Sequence, residues 1–181
     1  MRGKLLAALT IAAACTLSCT ATAAPAQPSG GTVHIIDYTD NDGATTTAVL
    51  TGAVGDLGDA ISVNPDGSLS TGHSELNLTL SQGTFRLDVA ALDKKFATAA
   101  GTVPFQHGPA SCSGFLAVDG TAPIIAGSGT GAYRGIRGTF QLTMTLNEVD
   151  APTTNDRCDV TGALIGQVIV IDGTADISYS S

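Results

Sequence analysis

The sequence predicts an all-β fold, a single antiparallel β-barrel of about eight strands with one short helix. Three observations predict it. Apolar and polar residues alternate with period two in several separate runs, as half-buried antiparallel strands do. Turn signals rich in Asp, Asn and Gly separate those runs. Residues 127–138, Gly-Ser-Gly-Thr-Gly-Ala-Tyr-Arg-Gly-Ile-Arg-Gly, hold five glycines between two β-like runs. That spacing marks a sharp turn in which the backbone takes positive φ or meets another backbone closely.

At the amino terminus, Arg2 and Lys4 precede an apolar run over 5–17 and the small-x-small triplet Ala21-Thr22-Ala23. This pattern reads as a secretory signal peptide, 1–23, cut after Ala23. The run is too short to span a membrane, and no later stretch approaches the roughly 20 apolar residues required. The expectation is a secreted chain that does not span a membrane. Lipid anchoring at Cys15 or Cys19 is the weaker alternative: leucine is missing three places before Cys15 and falls one place late before Cys19.

Removing 23 of 181 residues leaves 158, enough for one domain with its own core. Residues 24–32, rich in Pro, Gly and Ala, read as a flexible lead-in, and 33–181 as the barrel domain. Loss of Arg2 and Lys4 leaves six basic against sixteen acidic residues, a net charge of about −10. No basic patch offsets that balance, so nucleic-acid binding is excluded.

The strand candidates follow in order. Residues 33–39 and 45–51 flank Asp40-Asn41-Asp42-Gly43. Beyond Asn64-Pro65-Asp66-Gly67, Leu76, Leu78 and Leu80 alternate with Asn77, Thr79 and Ser81, and Phe85, Leu87 and Val89 with Arg86 and Asp88. A helix is predicted where Leu92, Phe96 and Ala99 share one face, with Asp93 near its start and Gly101 as its stop. Strands 114–118 and 121–126 are separated by Asp119-Gly120. Phe140, Leu142, Met144 and Leu146 alternate with Gln141, Thr143, Thr145 and Asn147. Residues 148–159, polar and proline-bearing, read as a long loop, and 160–171 and 175–179 as strands joined by Asp172-Gly173. An immunoglobulin-like sandwich is the competing plan, but the chain has no Trp and that plan has no place for the 127–138 turn.

Cys112 and Cys158 alone remain after cleavage. In an oxidising compartment they are expected to pair, with a loop-closure gain of roughly 4 kcal/mol in the chain-entropy model. Zinc is disfavoured because only His107 lies near Cys112 in sequence.

Strand, then glycine turn with Gly127, Gly129, Gly131, Gly135 and Gly138 around Tyr133, then strand, resembles the hallmark turn of the allene oxide cyclase and dirigent superfamily. The likeness extends loosely over 45–147 and is nearest to exported bacterial members, many of unassigned role. It implies an eight-stranded barrel that binds a small apolar molecule inside. The alternatives it leaves are a cofactor-free cyclase, isomerase or stereocontrol protein acting by confinement, and an extracellular interaction or structural module with a filled barrel. Tyr133, Arg134, Phe85, Leu87, Phe140, Leu142 and Met144 are the ligand-pocket candidates. No active-site motif of the family is matched residue by residue, and neither cofactor nor metal is expected.

Gly127, Gly129 and Ala132 fit a dinucleotide fingerprint nominally, but Gly135 and Gly138 prevent a helix from opening there. Arg134 and Arg137 read as solvated surface arginines before they read as an anion site. Asp56 with Asp59, and Asp37 with Asp40 and Asp42, invite calcium, yet Asp and Asn are ordinary turn formers beside glycine. His34, His73 and His107 lack metal-ligand spacing, no Gly-x-Ser-x-Gly elbow occurs, and His73 and Glu75 are expected to face water.

Overall fold

A computed structural model describes residues 29–40, 45–70, 72, 74–108, 110–153, 157–158 and 161–180. The expected signal peptide, the first part of the lead-in, the 41–44 turn and His73 lie outside the described residues. The strands are β1 (Gly31–Asp40), β2 (Thr45–Gly52), β3 (Asp56–Val63), β4 (Glu75–Leu80) and β5 (Gly83–Asp88). Helix α1 (Ala90–Ala100) precedes β6 (Phe105–His107), β7 (Cys112–Pro123), β8 (Ile136–Arg137), β9 (Thr139–Asp150) and β10 (Leu164–Tyr179). Eight of the ten are long, β6 and β8 being two- or three-residue strands.

All the pairings are antiparallel, in the order β5-β4-β3-β2-β1-β10-β9-β7-β6, with β8 on β10. The sheet curls until β5 meets the segment after β7. Leu87 bridges Ile124; the Ile125 amide donates to the Arg86 carbonyl at 2.9 Å, and the Thr130 amide to the Thr84 carbonyl at 2.9 Å. This seam pairs the outer edge of β5 rather than leaving it open, while β6 ends the sheet on the other side. Beside this seam α1 packs on β7, with Leu92 buried and Lys95 Nζ donating to the Asp119 carbonyl at 2.7 Å. The inward faces form one core that includes Val33, Leu50, Leu78, Phe85, Phe140 and Ile177.

Two expected turns are absent. β7 runs through Asp119-Gly120 and β10 through Asp172-Gly173 without a hairpin. The glycines serve close approach instead. A Cβ on Gly120 would lie 2.9 Å from Leu92 Cδ1, and one on Gly173 would lie 2.0 Å from the Gln141 carbonyl oxygen. Boundaries also shift: β7 spans Cys112–Pro123 where 114–118 and 121–126 were expected, and β10 starts at Leu164 rather than at 160. β9 continues to Asp150, shortening the expected 148–159 loop, and β1 takes in Gly31 and Thr32 from the expected lead-in. The weakly alternating β3 was not anticipated.

Cys112 and Cys158 are disulfide-bonded, with their Cα atoms 5.4 Å apart. The bridge fastens the start of β7 to the connection between β9 and β10. No helix among the described residues is long and apolar enough to cross a membrane.

Candidate functional site

The glycine segment closes one part of the barrel around Tyr133. Gly127, Gly131, Gly135 and Gly138 take positive φ, and a 3-10 turn over Gly131–Tyr133 sends the tyrosine inward. Its ring is fully buried and tilted against Phe85, with centroids 5.1 Å apart. Its hydroxyl donates to Asp56 Oδ2 at 2.6 Å. Asp56 also accepts from the backbone amides of Leu57, Ser81 and Gln82 and from the Ser81 hydroxyl. Burial alone would raise the Asp56 pKa, but these donors hold it below its ordinary value. Burial and then the Asp56 bond push the Tyr133 hydroxyl far up, so it stays a donor. One carboxylate therefore ties together β3, the β4–β5 turn and the glycine segment. Asp56 and Asp59 are not a carboxylate pair, since Asp56 is buried whereas Asp59 is exposed on the outer face.

Six of the seven pocket candidates come together inside. Phe85, Leu87, Tyr133, Phe140, Leu142 and Met144 are all buried in the same core, while Arg134 is exposed. Tyr133, Phe85 and Phe140 pack against Val33, Leu50, Val54, Ile136 and Ile177 and leave no room for a water molecule among them. This part of the interior is filled by its own side chains.

No family model matches this chain, and no curated protein or solved structure matches it.

The interior also holds carboxyl groups that the sequence reading did not place there. Asp37 on β1 follows Val33 and Ile35 on the inward face and is 1% exposed; among the described residues neither of its oxygens has a partner in full hydrogen-bond geometry. Burial pushes its pKa up to about 6, the nearby Thr46 hydroxyl and Tyr38 amide offsetting only part of the effect. Asp93 on α1, half-buried and with Oδ2 unpaired among the described residues, is pushed by burial up to about 7. Glu148 and Asp150 share the inward side of β9; burial raises both, and the Asp150 charge raises Glu148 further. Among the described residues, no three His, Cys, Asp or Glu side chains converge as a metal site. Glu75, expected in water, is only 9% exposed. Arg86 lies beside it at 2.7 Å and reaches the Pro65 carbonyl at 3.1 Å.

The outer face carries the larger departure from expectation. Leu57, Val49 and Ile36 stand directly opposite one another across β3, β2 and β1. They are 65%, 41% and 54% exposed. Tyr38, half-exposed, pairs with Val170. Val168, Val149 and Phe115 continue the exposed apolar stripe over β10, β9 and β7, where Val168 and Phe115 both flank Asn147. Leu164 and Ile165 extend it at the start of β10. Beside the stripe, Asp119, Gly120, Thr121, Gln141, Leu142 and Thr143 line a shallow groove of about 300 Å³. Asp119 there already accepts the Thr143 hydroxyl at 2.7 Å. Period-two reading exposes such a stripe only when the residues between the inward positions are checked for being apolar too, as in Ile35-Ile36 and Val168-Ile169-Val170.

Proposed function

We propose that this chain is a secreted interaction module of the allene oxide cyclase/dirigent-like barrel type. Its interior is a structural core, and its outer sheet face docks a macromolecular partner. The observation that carries the reading is the exposed apolar stripe from Leu57 to Phe115, crossing six adjacent strands. Exposed apolar side chains gathered on one face in this way mark interaction sites. The packed cluster around Tyr133 supports the same reading, because it occupies the space that an interior ligand would need.

The competing proposal, a small apolar molecule held inside the barrel, is separated by native mass spectrometry of the mature protein, before and after exposure to a panel of apolar probes. The expected result is the mass of the unliganded chain throughout. An apolar dye should fluoresce on the wild type and lose most of that signal in Ile36→Ser/Val49→Ser. A bound apolar molecule at unit stoichiometry that survives this double substitution would overturn the reading and restore the carrier or cyclase.

A further inference from the structure

The apolar stripe has an unusual electrostatic frame. Strands β1, β2, β3, β7, β9 and β10, which carry it, contain no lysine or arginine. Their exposed charges are acidic. Asp172 stands directly opposite Ile36, and Asp59 lies two residues beyond Leu57. Asp119 and Asp176 lie on the same outer face. Among the described residues, the basic side chains exposed on this face are His34 and, beside Ser178 near the end of β10, Arg137 on β8. The lysines of the barrel domain sit on α1, and Arg157 adjoins the disulfide at the start of β7.

Resting on the reading of this face as a docking surface, we infer that its partner is a basic amphipathic protein segment, with apolar side chains for the stripe and lysine or arginine for its acidic margin. Two other occupants fit less well. A second copy packed face to face would bring Asp59 and Asp172 of both chains to one interface with no lysine or arginine on the six stripe strands of either chain to pair them, and unpaired charges at an interface are costly. An anionic membrane surface would be repelled by the same carboxylates. Six strands spaced about 4.8 Å apart give a face roughly 24 Å wide, which spans several turns of a helix at about 5.4 Å per turn.

The test uses the mature, disulfide-bonded chain and three synthetic peptides: a Leu/Lys amphipathic helix, its Leu/Glu counterpart, and a Lys/Ser peptide of the same charge. Fluorescence anisotropy should show the Leu/Lys peptide binding at least about tenfold more tightly than either other peptide, tenfold being about 1.4 kcal/mol. Asp59→Asn/Asp172→Asn should abolish the preference for Lys over Glu. Ile36→Ser/Val49→Ser should remove binding of the Leu/Lys peptide. Equal binding of the Leu/Lys and Leu/Glu peptides, lost in Ile36→Ser/Val49→Ser, would overturn the basic partner and leave the docking face standing. Binding of the Leu/Lys peptide that ignores both double substitutions would overturn the face itself. Sedimentation showing a dimer that Ile36→Ser/Val49→Ser dissociates would identify a second copy as the occupant and overturn the basic partner.

Discussion

Two buried aspartates pull this protein's stability in opposite directions with pH. Asp37 has its folded-state pKa raised from 3.8 to about 6. Its favourable contribution is therefore complete below about pH 4 and is lost as pH rises through 6. Asp56 is lowered by its donors, so its contribution is present above the ordinary carboxylate range and is lost as pH falls through its depressed value. Asp37→Asn is expected to stabilise by about 1–3 kcal/mol at pH 8, where the wild type keeps an unpaired buried charge, and to be nearly neutral at pH 4. Asp56→Asn should destabilise by about 2–3 kcal/mol at pH 7, since it weakens a charge-assisted cluster. Tyr133→Phe should lose a smaller part of the same energy. Urea titrations at the two pH values check all three; equal effects of Asp37→Asn at pH 4 and pH 8 would contradict the burial argument. Asp37's position was legible in principle, because period two places it after Val33 and Ile35. Reading it with Asp40 and Asp42 as a turn acid hid this. The Asp56–Tyr133 bond joins residues 77 apart in sequence, a distance that no local pattern crosses.

At the scale of elements, alternation located β4, β5 and β9, the runs flanking the Asp40–Gly43 turn signal located β1 and β2, and the apolar face with its Gly101 stop located α1. Asp-Gly misled. The pair marks a turn when the chain must reverse, but in a strongly coiled sheet glycine also lets one strand press against another backbone or a helix. The two cases at 120 and 173 should respond differently to alanine. At Gly173 the new methyl meets a backbone carbonyl at 2.0 Å, whereas at Gly120 it meets the end of the Leu92 side chain at 2.9 Å. Gly173→Ala should destabilise by about 3 kcal/mol or more, since β9 or β10 must shift; Gly120→Ala should cost about 1 kcal/mol, because a leucine rotamer can yield. Thermal unfolding of the two variants ranks them, and a reversed order would mean that Gly173 tolerates more movement than the close contact implies. β3 escaped notice for a related reason. Its inward positions include Gly58 and Ala60, too small to stand out as an apolar row.

For the whole molecule, the decisive property is how the interior is used. One continuous sheet, fastened by Cys112–Cys158 and closed by the Tyr133 segment, follows the barrel plan rather than the two-sheet sandwich. The barrel was legible because the glycine turn and the alternating runs agree on it. Whether it is hollow was not legible, because composition does not show where one aromatic sits against another. Phe85 meeting Tyr133 is such a contact. Removing it tests the filled interior directly. Phe85→Ala should cost about 3–5 kcal/mol and leave an apolar cavity, and an apolar cavity of that kind stays dry and takes up benzene or xenon. Benzene should then raise the melting temperature of Phe85→Ala in proportion to the logarithm of its concentration, while leaving the wild type unmoved. If the wild type responds as strongly as the variant, the native barrel already has room for a small apolar guest, and the carrier and cyclase proposals regain the ground that the outer face holds here.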